Sequence, residues 1–202
     1  MAGRKNKNAE LRKPEILEGY YRVLIKEGLE GTSISKIAKH LGIHPSLILH
    51  YFESKENLKL AVIELMISKY KARHMIKFDH IEDDADRFTA LINMIFSYEW
   101  SRTVDPGVHF GFYYQSFRDS KVSSLFQNMF QWFRDYLHDQ FVIFNNKGII
   151  EVNDERKAAD FIMTLMEGME FHAQFLGQDA PFEEFAETAK KSARAVLKNW
   201  VL

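Results

Sequence analysis

The side chains able to do chemistry fall into two groups. The first lies in residues 32–58, where Thr32, Ser33, Lys36, His44, Ser46, His50, Tyr51 and Lys55 bring hydroxyls, imidazoles and ammonium groups into one short stretch. Groups of this kind meet base edges and phosphates, and Leu47 among them can touch a thymine methyl. The second group is aromatic. Sixteen of the rings lie between Phe88 and Phe144, and Met94, Met129, Met163, Met166 and Met169 accompany them. Such a set suits a flat or flexible apolar ligand, with Glu99, Arg102, His109, Gln115, Glu167, Glu170 and His172 as polar groups to orient it. Ordinary core packing is the other reading of each ring taken singly.

Catalytic and metal chemistry find less support. The eight histidines form no H-E-x-x-H zinc motif, and no Glu-x-x-His pair recurs as a di-iron bundle requires. His172 lies off the helical face shared by Glu167 and Glu170. Asp83, Asp84 and Asp86 lack the glycine and spacing of a calcium loop and suit a helix N-terminus. There is no Gly-rich phosphate loop. Cysteine is absent, which excludes a disulfide framework, cysteine-ligated zinc and a thiol nucleophile. The expectation is a non-enzyme with no cofactor and no metal.

Helices must position these groups. Ile63, Met66, Ile67 and Tyr70 recur at helical spacing, as do Phe161, Leu165, Gly168, Met169 and His172, and sustained period-2 alternation is missing. The spacing predicts an all-α protein of about nine helices, punctuated by only 4 Pro and 10 Gly. Pro14 opens the first, which Gly28 stops near residue 27. Short helices follow, one from Gly31-Thr32-Ser33 to Gly42 and one from His44-Pro45-Ser46 to Phe52. Ser54 caps a long helix to about Lys77. The rest are expected after Asp84 to about Ser101, then over 108–117, 120–145, 154–176 and 181–200.

Within residues 32–58, Ala38 lets the next helix cross closely and Gly42 supplies a left-handed turn. Ile34, Ile37, Leu41, Ile43 and Ile48 form the small core. This is a helix-turn-helix pattern, although a plain αα-hairpin shares its local features. The segment resembles the TetR family of bacterial transcriptional regulators. The likeness runs through Ile16-Leu17, Lys26-Glu27-Gly28, Gly31-Thr32-Ser33-Ile34, Ile37-Ala38, Leu41-Gly42-Ile43 and Tyr51-Phe52-x-Ser54-Lys55-x-x-Leu58. It implies a ligand-responsive DNA-binding dimer: a three-helix head (residues 1–53), then a connector helix and a ligand-binding and dimerisation body (residues 54–202). It also implies that the end of the third helix carrying His44, Pro45 and Ser46 points into the groove, and that Lys55 grips the backbone. The hydroxyls and backbone N–H groups of Thr32 and Ser33 suit a phosphate, as do His50 and Tyr51. Lys36 and Lys39 add positive charge. The arm bearing Arg4, Lys5, Lys7, Arg12 and Lys13 either follows the DNA or is a solvated tail. Leu49 stands where the family often has a tyrosine, Tyr20 where it has a small residue and Leu24 where it has a phenylalanine, which implies a repacked head.

The net charge of −1 hides a division. Residues 1–78 hold 15 Lys+Arg and 8 Asp+Glu, a net of +7, and residues 79–202 hold 12 and 20, a net of −8. A basic reading head on an acidic body fits a polyanionic partner for the head alone. The expected ligand site draws on Trp100, Phe110, Tyr113, Tyr114, Phe117, Phe133, Met166 and Glu170. The last two helices are expected to pair with those of a second protomer through Gly168, Phe171, Phe175, Phe185, Ala189 and Val196; these faces otherwise complete the core of one chain. No apolar run spans a bilayer and no signal segment is visible, so a cytoplasmic protein is expected. The sequence thus predicts a homodimeric repressor that a small hydrophobic or aromatic effector releases from a palindromic double-stranded operator. An activator, or a non-catalytic small-molecule-binding helical protein, is the alternative.

Overall fold

A computed structural model of the chain describes residues 2–75, 78, 80–176 and 181–199; the side chains of residues 2–11 and 73–75 lie outside the description. The described residues form ten α-helices and no strand. They gather into two compact units, residues 1–69 with 104–127 and residues 70–103 with 128–202.

The first unit is built on α1 (Ala2–Gly31). The helical backbone begins well before Pro14, which sits inside the helix at the cost of one backbone hydrogen bond. The side chains of Arg4, Lys5 and Lys7 are outside the described residues. The predicted stop is where the sequence puts it: Gly28 has φ 71° and ψ 177°, a left-handed φ that interrupts the helical run. Ile16, Tyr20, Val23 and Leu24 form its buried stripe. Tyr20 is thus core, and its neighbour Gly19 supplies the small surface. A Cβ on Gly19 would lie 2.8 Å from Leu41 Cγ and 2.9 Å from Leu41 Cδ1. Leu41 ends α2 (Ile34–Leu41), so α2 is seated directly on the backbone of α1.

Ser33 caps α2 by accepting the Lys36 N–H, and Gly42 (φ 64°, ψ 31°) closes it with its N–H on the Ala38 and Lys39 carbonyls. Then α3 (Pro45–Phe52) begins with Pro45 in its first turn. Ile37, Ala38, Ile48 and Phe52 are buried, as are Leu58 and Val62 of α4 (Lys55–Met75). The expected end of that helix at Lys77 lies outside the described residues.

The same unit holds α7 (Pro106–Ser116) and the start of α8 (Ser120–Asn146). Gly111 lets α7 touch α1, since a Cβ there would be 2.5 Å from Leu29 Cδ1. The Tyr21 hydroxyl accepts the Asp105 N–H at 2.7 Å, just before α7. Lys59 holds both Glu56 (3.0 Å) and Asp119 (2.7 Å), which joins α4 to the approach to α8.

The second unit contains α5 (Asp84–Ile95), α6 (Tyr98–Ser101), the remainder of α8, α9 (Glu155–Leu176) and α10 (Phe182–Lys198). Asp83 caps α5 through the Asp86 N–H. The helix expected to continue to Ser101 breaks after Phe96, because Ser97 caps a new turn by accepting the Trp100 N–H. This break is why ten helices are found where about nine are expected. Phe88, Leu91, Ile92, Phe141, Phe144, Ile162 and Leu197 belong to the shared core. The predicted end of the last helix at Trp200 lies outside the described residues. No described helix is long and apolar enough to cross a membrane.

Gly19→Ala is expected to lower stability by about 1–3 kcal/mol in urea unfolding, because Leu41 must yield to the new methyl. The matching change in α9, Gly168→Ala, meets nothing within 4 Å among the described residues and is expected to cost nothing in the isolated protomer.

Candidate functional site

The turn between α2 and α3 presents the first group of side chains. His44 caps α3: its Nδ1 accepts the Ser46 N–H at 3.3 Å and lies 2.7 Å from Ser46 Oγ. Accepting at Nδ1 leaves the proton on Nε2, the ring edge away from the helix. His44, Ser46, Leu49 and His50 are exposed, and Pro45, Leu47 and Tyr51 are half-buried. The His50 and Tyr51 rings pack edge to face at 5.3 Å. The exposed N-terminal end of α3 therefore offers an N–H donor, a hydroxyl and an isobutyl group side by side.

Nearby groups are held by the fold. Thr32 is only 3% exposed, and its hydroxyl donates to the Gly28 carbonyl at 2.6 Å. Lys55 donates to the Thr32 carbonyl at 3.3 Å, which fixes its ammonium beside the start of α2. Lys36 pairs with Glu27 at 2.7 Å, and that hydrogen bond holds the Glu27 carboxyl below its usual pKa. Arg12 pairs with Glu15, and the Lys13 ammonium lies 5.8 Å from the Phe52 ring centre.

The eight residues expected at a ligand site divide between the units. Phe110, Tyr113, Tyr114 and Phe117 lie on or at the end of α7, in the first. Tyr113 packs on Phe126 at 5.8 Å and on Phe117 at 5.6 Å. Tyr114 and Phe117 are 58% and 72% exposed, with the Arg118 guanidinium 4.3 Å from the Tyr114 ring. His109 is stacked on Tyr113 and edge-on to Phe126. Burial lowers its pKa to about 4, so the imidazole is neutral at pH 7.

Trp100, Phe133, Met166 and Glu170 come together in the second unit. Trp100 stacks on Phe133 at 5.6 Å and donates its indole N–H to Met166 Sδ at 3.2 Å. Tyr70, which sequence spacing shows only as the end of an apolar stripe, joins Trp100 at 5.3 Å. Trp132 and Tyr136 continue the ring group, and the Lys71 ammonium sits 5.1 Å from the Trp132 ring centre. Trp100 also lines a cleft of about 490 Å³ with Phe78, His80, Met94 and Glu99.

Two carboxylates follow Met166 on α9. Glu170 accepts from Arg102 at 3.1 Å. Glu167, largely buried one turn earlier, has its pKa raised to about 7, first by desolvation and then by the charge of Glu170. No hydrogen bond to the Glu167 side chain is found among the described residues.

The outer faces of α9 and α10 leave an apolar groove of about 570 Å³ lined by Phe161, Leu165, Gly168, Met169, Phe185 and Ala189, among others. Phe171 and Phe175 pack with tilted rings, centroids 4.8 Å apart, at the end of α9 and are 53% and 65% exposed. Ala189 is buried within the chain and Val196 half-buried.

Comparison with known proteins gives two family matches. Residues 16–62 match the family described as bacterial regulatory proteins, tetR family. Residues 83–199 match the tetracyclin repressor-like C-terminal domain. The transcriptional regulator BetI of Rhizobium meliloti is 26% identical over 115 residues, 57% of either chain. The transcriptional repressor AcnR of Corynebacterium diphtheriae is 37% identical over 57 residues, 28% of this chain and 30% of that one. The chain thus spans from under a third to little more than half the length of these curated relatives. A transcriptional regulator from Saccharomonospora viridis, crystallised in complex with choline, superposes with a TM-score of 0.79 at 16% identity, over 90% of this chain and 95% of that one. A TetR regulator from Haloarcula marismortui gives 0.78 at 18% identity, over 93% and 97%. At such identities these two speak for the fold alone.

The raised Glu167 pKa predicts a pH-dependent stability. The folded state holds this proton more tightly than the unfolded state, so the contribution is complete below about pH 4.5 and is lost as pH rises through about 7. Glu167→Gln mimics the protonated form. Thermal melts should show the variant equal to the parent near pH 5 and more stable at pH 8, by up to about 3 kcal/mol.

Proposed function

The chain belongs to the TetR family of bacterial transcriptional regulators and carries that family's DNA-binding helix-turn-helix; from this premise we propose that it is a homodimeric repressor released from a palindromic operator by a small apolar effector. The observation that carries the reading is the exposed, self-capped N-terminal end of α3. In this reading the head comprises residues 1–53. His44 Nε2–H and the Ser46 hydroxyl meet base edges, and Leu47 meets a thymine methyl. Lys55, Lys36, His50, Tyr51 and the start of α2 at Thr32 and Ser33 hold phosphates and set the register.

A second protomer covers the α9–α10 groove. The open space over Gly168 and the exposed Phe171–Phe175 pair support this, because a chain alone leaves that apolar surface in water. Two heads then meet successive major grooves about 34–36 Å apart. The effector contacts the rings around Trp100 and Phe133 in the second unit. It shifts the equilibrium only by its unequal affinity for the DNA-competent and released states. Repression, as opposed to activation, is supported by the repressor AcnR, to which the chain is 37% identical over 57 residues.

The test is operator binding by fluorescence anisotropy, on a fragment selected from random duplexes. The affinity should fall with salt by a log–log slope of about −0.9 per phosphate contacted. Lys55→Ala should weaken binding to all sequences and flatten that slope by about 1 per protomer, whereas His44→Ala should relax discrimination at one base pair of each half-site. A slope near zero, or a monomer mass in sedimentation on the operator, would overturn the reading.

A further inference from the structure

We infer that the second unit takes an organic cation, held by the carboxylates of Glu167 and Glu170 against the ring group of Trp100, Phe133 and Tyr70. The inference deepens the ligand-responsive reading above and rests on it.

The argument starts from helix geometry. Met163, Met166, Glu167 and Glu170 stand at i, i+3, i+4 and i+7 on α9, and therefore share one face. Two of them are located by their contacts: Met166 takes the Trp100 indole N–H at 3.2 Å, and Glu170 takes Arg102 at 3.1 Å. Glu167 lies between these two anchors, so it belongs to the same wall as the rings.

Among the described residues, charge is then unbalanced at that wall. Arg102 supplies one positive charge and Glu170 accepts it, while no cation among the described residues hydrogen-bonds Glu167. Lys71 is placed over Trp132. A largely buried carboxylate next to a second one is costly, and holding a proton near neutrality lessens that cost. A neutral ligand leaves that cost unchanged or raises it by excluding more water. A cation removes it.

The rings point to the kind of cation. The negative faces of Trp, Tyr and Phe attract weakly hydrated positive groups. This unit already uses that attraction, with Lys71 over Trp132 and Arg102 at 5.0 Å from Tyr98. A divalent metal ion needs six or more oxygen ligands or a compact set of His and carboxylate donors, and no group of three such residues able to hold a metal is found among the described residues. Two carboxylates flanked by thioethers and stacked rings instead suit a bulky alkyl- or arylammonium ion.

The test uses the full-length protein and two probes of the same shape: phenyltrimethylammonium and its uncharged carbon analogue, tert-butylbenzene. Quenching of tryptophan fluorescence reports binding, since two of the three tryptophans belong to this ring group. The cation should bind at least 10-fold more tightly than tert-butylbenzene at pH 8. Glu167→Gln should cut the cation affinity about 10-fold and leave that of the neutral probe unchanged. Its fold is checked by the melts described above, and the comparison of probes on the parent protein needs no variant. Equal or tighter binding of tert-butylbenzene, or a cation preference that survives Glu167→Gln, overturns the inference while the apolar-effector reading stands. Failure of both probes to bind overturns the inference too; the operator titration then decides separately whether the chain reads DNA.

Discussion

Close packing along α1 is the constraint on which the first unit depends. Its bare backbone at Gly19 admits Leu41 and so fixes the height of α2. Through the turn at Gly42, that height fixes α3 as well. Further along, Leu29 sits in the space left by Gly111 and brings α7 to the same helix, and the Tyr21 hydroxyl secures the Asp105 N–H at the entry to α7. These contacts join segments more than 20 and more than 80 residues apart. Each works because one partner is a glycine or an otherwise unused backbone N–H. The stripe of Ile16, Tyr20, Val23 and Leu24 supplies the burial, and the glycines decide where it can be used.

Ion pairing leaves the net charge of residues 1–78 almost untouched. Lys36 and Lys69 pair with Glu27 and Glu18, acids already discounted in the +7, and Lys59 also engages Asp119 from outside that stretch. Backbone N–H groups at the starts of α2 and α3, together with a lysine tied to the Thr32 carbonyl, add positive potential at a polyanion that charge counting does not register. In the second unit a carboxylate, Glu167, has a like-charged neighbour in Glu170, and no cation among the described residues hydrogen-bonds it.

Local chemistry was readable from the sequence, and long-range geometry was not. Gly28, Ser33, Gly42 and Pro45 act within a few residues of themselves, and each stops or starts a helix where its type demands. Ser97 could have been read in the same way, as an N-cap three residues before Trp100, but the apolar run around it suggested one continuous helix. Tyr70 beside Trp100, and the setting of Glu167, depend on which helices meet, and periodicity does not encode that. The aromatic richness of residues 86–144 was plain. Its partition between two sets of rings follows from where α7 packs, and that was decided by Gly111, a glycine inside a helix whose reason lies on α1.

The chain leaves the first unit at residue 69 and returns to it at 104. The unit that carries the helix-turn-helix is therefore stitched from two separate stretches. Anyone exchanging sensory bodies between such regulators by a single cut would separate α1 from α7 and expose Leu29 and Tyr21. A graft that keeps residues 104–127 with the head would preserve both contacts. The portable module is then an interleaved pair of segments, and recombination in nature, like design at the bench, has two joints to respect.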